Sequence, residues 1–316
     1  MLGRGKQLEI GGYFECEKYY GVEYHTGCKR LNTARNCIKY LIESRDIKKI
    51  WISRWNCSAV LDTCKDNGVE LRFFNLDDDL KPVMPPDFHP SDYVYVVNYY
   101  GQLSNVNYEH IIMDNSQAFF QRPIKGVDTI YNCRKFFGVS DGAYLYTDSQ
   151  ITRALDRDYS WDRIGYIAGR MEKNATEFYS AYRNNENMLD SLPVKLMSCY
   201  TENLLRSLDY DKIKKRREEN YRYLNDKLGK YNIISAKETE GPFAYPLMVK
   251  DGRALREYLR EREIYIAKLW PNVWQGKEGI LAEQILPLPC DQRYSVLEME
   301  KVAELIICYL RGGIEK

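Results

Sequence analysis

A chain of 316 residues, 44% of them hydrophobic, is long enough to bury one large core and a smaller one. Lysine plus arginine number 46 against 45 for aspartate plus glutamate, and a net charge of +1 gives neither nucleic acid nor an anionic membrane a reason to bind. Nine cysteines without a CxxC pair, joined by three histidines, offer no metal-ligand spacing, so no metal is expected and the odd count predicts reduced thiols.

In chain order, Thr33 to Ser44 reads as a helix with Ile38, Leu41 and Ile42 on one side. Lys49 to Ile52 is a short strand. Ser58 to Asn67 is a helix closed by Gly68, and Val69 to Phe74 is the next strand. Asp92 to Val97 is apolar almost throughout from Tyr93, as a strand buried on both faces must be. Ile111-Ile112-Met113, Val127 to Tyr131 and Ala143 to Tyr146 are further strands. Strands alternating with helices predict an α/β fold with a three-layer, mostly parallel sheet covered on both faces. From Trp161 to Lys230 the chain turns helical, and its run Lys214-Lys215-Arg216-Arg217-Glu218-Glu219 reads as a solvated helix face. Tyr245 to Val249 and Ile264 to Ala267 read as strands of a smaller α+β unit. Ser295-Val296-Leu297-Glu298 has capping-box spacing. It opens a last helix with Leu297, Val302, Leu305, Ile306 and Tyr309 on its apolar face and Gly312 at its end. The expected division is a large domain over 1–230 and a small C-terminal domain over 231–316. Met1-Leu2-Gly3-Arg4-Gly5 lacks the apolar stretch of a secretion signal and no run reaches membrane-span length, so a cytoplasmic protein is expected.

Two fragments carry the chemistry. Ile111-Ile112-Met113-Asp114-Asn115-Ser116-Gln117-Ala118 is an apolar strand ending in a carboxylate, with an amide three residues on. Tyr131-Asn132-Cys133-Arg134-Lys135-Phe136-Phe137-Gly138 is a strand leading into a polar turn with one lysine. Ligands of such sheets bind beyond the carboxyl ends of the strands, which is where both fragments put their charge. A buried carboxylate and a lysine at neighbouring strand ends are what a pyridoxal 5'-phosphate (PLP) site requires. The lysine forms a Schiff base with the cofactor aldehyde, and the carboxylate keeps the ring nitrogen protonated. Taken alone, Asp114 also reads as a turn former, and Lys135 beside Arg134 as a solvated pair. Thr33, Ala34 and Arg35 open a helix whose N–H groups suit a phosphate, or are an ordinary helix start capped by Asn32. Trp55 offers a flat face to a pyridine ring, or is a core tryptophan. Gln117 has the reach to donate to the phenolic oxygen of PLP, or caps the next turn.

These segments resemble fold type I PLP enzymes, and within them a divergent branch of the DegT-type sugar aminotransferase family. The resemblance runs from about residue 28 to 310. Met113-Asp114-Asn115-Ser116-Gln117-Ala118 is similar to the family's acidic segment. Lys135, Gly138 and Asp141-Gly142-Ala143 are similar to its lysine and following turn. Leu31-Asn32-Thr33-Ala34-Arg35-Asn36 takes the place of its phosphate-holding turn, and Ile52-Ser53-Arg54-Trp55 that of its ring-stacking strand end. Met197-Ser198 and Leu286-Pro287-Leu288-Pro289 resemble later segments. Two departures stand out. The family's Ser before the lysine is replaced by Thr129 or Asn132, and Leu192-Pro193-Val194-Lys195-Leu196 lacks the family's cross-subunit Asn.

The resemblance implies a PLP-dependent aminotransferase. Lys135 and Asp114 would be its catalytic residues, with Gln117, Trp55, Thr33, Ala34, Arg35 and Asn132 holding the cofactor beside them. An amino-acid donor would pass its amino group to a carbonyl acceptor, for which the family suggests a nucleotide-linked keto-sugar. It also implies a homodimer with sites at the interface, Arg35 and Tyr99 lying near the mouth. The alternatives are a PLP-binding regulator or scaffold that has lost transamination, and a nucleotide-binding α/β protein without PLP. The second lacks a GxGxxG or P-loop pattern in this chain.

Overall fold

A computed structural model describes residues 10–103, 107–270 and 276–312. The expectation placed on Met1–Gly5 lies outside them. Eight strands form one sheet: β1 (Lys29–Leu31), β2 (Lys49–Ser53), β3 (Glu70–Leu76), β4 (Pro82–Val83), β5 (Tyr93–Val97), β6 (Ile111–Asp114), β7 (Asp128–Asn132) and β8 (Ala143–Tyr146). Their spatial order is β1-β8-β7-β6-β5-β2-β3-β4. The run β3-β2-β5-β6-β7 is parallel, while β8 and β4 pair antiparallel at its two sides.

Burial explains the composition. β5 (Tyr-Val-Tyr-Val-Val) and β6 (Ile-Ile-Met-Asp) sit in the middle of the sheet, and all their residues but Tyr93 are buried. β3, with only two-residue β4 beyond it, keeps Glu70, Arg72 and Asn75 exposed and buries only Phe74 and Leu76. Helix α1 (Ala34–Arg45) packs against β7 and β8 and buries Cys37, Ile38 and Leu41. Its N-cap is Thr33, not Asn32: the Thr33 hydroxyl accepts from Asn36 N–H at 3.0 Å. Helix α2 (Ser58–Asp66) is followed by Gly68 at φ +74°, the left-handed stop expected there.

The long helical stretch resolves into α3 (Gly165–Glu172), α4 (Tyr179–Ser191), α5 (Cys199–Leu205) and α6 (Tyr210–Leu228). In α6 the charge run is not one solvated face. Lys214, Lys215 and Arg216 stay partly or fully exposed, but Arg217 is only 2% exposed. It falls in line with Tyr210, Tyr221, Leu224 and Leu228 on the inward side, as a 3.6-residue period requires.

A second core joins the C-terminal half of α6 to β9 (Tyr245–Met248), α7 (Gly252–Arg260), β10 (Ile285–Leu288) and α9 (Val296–Leu310), with α8 (Lys277–Gln284) leading into β10. Here two expectations fail. Ile264–Ala267 is not a strand; the antiparallel partner of β9 is β10, a segment matched in sequence only to the family's entry into the last helix. α9 has its capping box on Ser295 and Glu298, but Leu297 is 67% exposed. Its buried side is Met299, Val302, Ala303 and Ile306, from which Leu297 is turned away. Among the described residues no helix is long and apolar enough to cross a membrane.

Candidate functional site

Strands β5, β6 and β7 end side by side, with Val97 opposite Asp114 and Asp114 opposite Ile130. Asp114, the last residue of β6, is 7% exposed and held on both oxygens. Ser116 N–H donates to Oδ1 and the Tyr95 hydroxyl to Oδ2, each at 2.8 Å. Burial and the facing carboxylate push the Tyr95 phenol well above its usual range, so it stays a neutral donor. The carboxylate is therefore a fixed part of the core.

β7 ends at Asn132, whose side-chain oxygen accepts from Arg134 N–H at 3.1 Å and opens a single 3₁₀ turn over Cys133–Lys135. Lys135 is exposed, its ammonium 5.9 Å from the Phe243 ring centroid. Beyond the turn Gly142 returns the chain into β8 at φ +113°, and a Cβ there would come within 2.9 Å of Thr201. Only glycine fits that conformation and that space. The preceding Asp141 is fully buried and accepts from Ser198 N–H and Oγ–H at 2.8 and 2.7 Å.

A cavity of about 320 Å³ opens at these strand ends, within the range of small-ligand sites. Asp114, Gln117, Asn132, Lys135, Ala34 and Arg35 all line it. Thr33 and Trp55 do not. Thr33 caps α1 behind the wall. Trp55 is fully buried, stacked on Tyr99 at 4.9 Å and edge-on to Trp270 at 4.9 Å, so it is the core tryptophan of the two readings. The residues of that turn that reach the cavity are Asn56 and Cys57. Tyr99 is buried too, its hydroxyl donating to the Trp55 carbonyl 3.0 Å from Ser53 Oγ, and it lies away from the mouth.

Two amides in the wall are half-used. Gln117 Oε1 accepts from Tyr100 N–H at 2.8 Å, and Asn56 Oδ1 from Cys57 N–H at 2.7 Å. Gln117 Nε2 and Asn56 Nδ2 are buried without a partner. An unpaired buried amide costs about 1–3 kcal/mol. Two in one cavity mark a place for a ligand with acceptor oxygens. The N–H groups of Ala34 and Arg35, at the open first turn of α1, point to the same kind of ligand.

Sequence reasoning missed the far wall. Tyr166 from α3 and Tyr182 and Glu186 from α4 close the cavity, with Trp270 at one side. Arg134 pairs with Glu186, and Arg35 with Asp190 of α4 at 2.6 Å. Burial lowers the Arg134 pKa from its usual value. The adjacency of Arg134 to Lys135 was a usable signal. Nothing in the polar sequence of α4 announces which turn meets the sheet.

No family model matches the chain, and no curated protein matches it. Solved structures do. DesV from S. venezuelae, in complex with a ketimine intermediate, superposes with a TM-score of 0.63 at 13% identity over 89% of this chain and 84% of its own. Spr1654 from Streptococcus pneumoniae in its PLP form gives 0.63 at 9% identity, covering 91% and 88%. The sugar aminotransferase CalS13 from Micromonospora echinospora gives 0.63 at 13% identity, covering 88% and 86%. The chain thus has the fold of these proteins over nearly its whole length, the three-layer α/β architecture expected from its sequence.

Proposed function

We propose that the protein is a PLP-dependent aminotransferase that moves an amino group from an amino-acid donor to a carbonyl acceptor. One observation carries this reading. Asp114 and Lys135, at adjacent strand ends, face one cavity whose Gln117 and Asn56 donors lack acceptors. The residues present fit PLP. Ala34 and Arg35 N–H would hold its phosphate, with Asn132 beside them, and Gln117 Nε2 would donate to its phenolic oxygen. Asp114 would face the ring nitrogen. When bound, PLP supplies an electron sink for charge developing at the donor's α-carbon.

The rest is done by side chains. Lys135 would hold the cofactor, and its Nζ, once free, would take the proton from the donor's α-carbon as a base and give it up again as an acid. Its exposed, unhindered position suits an amine that must change place within one turnover. Asp114, fixed by Tyr95 and Ser116, keeps its charge where the developing charge needs it without reorganising. Trp55 and Thr33 support the cavity from behind. The proposed acceptor is a keto-sugar carried on a nucleotide, and fold neighbours described as sugar aminotransferases support a sugar at that position. The protein would act in the cytoplasm as a homodimer, joined through the apolar side chains that α3, α4 and their flanks expose (Trp161, Met171, Tyr179, Met188).

The test is an absorbance spectrum of the protein with PLP, before and after borohydride, followed by peptide mass mapping. A phosphopyridoxyl group on Lys135 and donor-dependent formation of pyridoxamine phosphate are expected. A label on another lysine overturns the site. A label on Lys135 without donor turnover favours the regulator or scaffold, for which the missing Ser before the lysine argues.

A further inference from the structure

Lys135 is positioned by its backbone. Its side chain is exposed, so the place of its amine depends on what holds the turn. Asn132 fixes the near end. The far end is Phe136, whose carbonyl accepts two hydrogen bonds from the C-terminal half of the chain. One comes from Arg217 NH2 on α6 at 3.2 Å, the other from Gln292 Nε2 in the loop before α9 at 2.8 Å. The two donors are themselves joined, Arg217 Nε to Gln292 Oε1 at 2.7 Å. Arg217 NH1 donates to the Pro242 carbonyl at 2.9 Å, and the guanidinium lies 4.6 Å from the Phe136 ring centroid.

This guanidinium is buried without a carboxylate in ion-pair range among the described residues, and burial pulls its pKa down to about 10. A charge so placed opposes folding, and an apolar residue would suit the inward stripe of α6 better. Its fork reaches three oxygens that no apolar side chain can hold, and one of them belongs to the residue after Lys135.

The structure assigns Arg217 and Gln292 as positioning residues for Lys135: together they clamp the Phe136 carbonyl and so set where the 3₁₀ turn presents the amine. The assignment rests on Lys135 being the cofactor lysine. It makes the C-terminal unit part of the site's alignment although neither Arg217 nor Gln292 lines the cavity.

The deciding variant is Gln292→Glu in the full-length protein loaded with PLP. It keeps an acceptor for Arg217, now charged, and removes the donor to Phe136. The clamp predicts that borohydride-trapped labelling of Lys135 slows and kcat falls, each by roughly tenfold to a hundredfold. KM for the donor and the melting temperature should hold or, for the latter, rise. A purely structural role predicts wild-type labelling and kcat with at most a shifted melting temperature, and that result overturns the assignment. Arg217→Met, which suits the apolar stripe, should show the same kinetic loss if it folds; if it does not, Gln292→Glu decides. Wild-type protein that carries no label on Lys135 refutes the cofactor reading itself, and the assignment falls with it.

Discussion

The two strand ends that define the site are built in opposite ways. Asp114 is inside the core, gripped on both oxygens. Lys135 is outside it, on a turn held by the Asn132 side-chain oxygen at one end and through the Phe136 carbonyl at the other. On the proposed reading the carboxylate has one task and needs one position. The lysine would have to bind, release and carry a proton, so freedom at the amine is combined with a fixed root. The difference separates what mutation should do to function from what it should do to stability.

The largest effect is expected at the free end. Lys135→Ala should lower turnover by about 10²–10⁴-fold, the usual scale of a lost acid–base group, while melting within about 0.5 kcal/mol of wild type. A marked loss of stability would break the contrast. Asp114→Asn keeps the shape, and its single-turnover rate should fall by about 10²–10³-fold with PLP still bound. Asp114→Ala should in addition destabilise the fold by about 1–3 kcal/mol for each donor left unpaired, Tyr95 and Ser116. Chemical denaturation of the two Ala variants compares the ends directly.

On the carboxylate side, Trp55→Ala should cost about 3–5 kcal/mol through the cavity it leaves, yet Lys135 labelling in the folded protein should persist. Abolished labelling with an intact fold would restore Trp55 to the ligand. On the lysine side, buried His25 packs 4.0 Å from the Tyr131 ring of β7, and burial lowers its pKa from 6.5 to about 4. The unfolded chain takes up the proton first, so the stability from neutral His25 is complete above pH 6.5 and is lost as pH falls toward 4. The loss amounts to about 3 kcal/mol at most. His25→Gln should flatten the melting temperature between pH 7 and 4.5.

The smallest expected effect concerns assembly. Replacing exposed Trp161 with Glu should shift the protein toward monomer by light scattering and leave the melting temperature of the monomer unchanged.

What could be read in advance follows the same division. Apolar runs buried on both faces, such as Tyr93–Val97, announce parallel strands, and a charge at the end of one announces a site. Arg217 could not be read so, because four consecutive basic residues look solvated until the phase of α6 is known. β10 was hidden by Pro287, which lies opposite Pro246 in a two-stranded ribbon. The outer edge of such a ribbon requires no ladder hydrogen bond, so it tolerates a residue without an N–H. Trp55 and Asn56 are adjacent, and only the turn after β2 decides which one faces the cavity. The α4 wall depends on docking that a polar helix does not encode in its pattern.

Tyr100 holds one more consequence. It is a non-glycine residue at φ +55°, a conformation that costs about 1 kcal/mol or more, and from it the backbone N–H reaches Gln117 Oε1. The amide of Gln117 is therefore locked against rotation by main chain, and it can offer only its NH2 face. The wall has a fixed polarity. It will welcome an oxygen with lone pairs and turn away an N–H presented at the same point, whatever the size of the molecule that carries it.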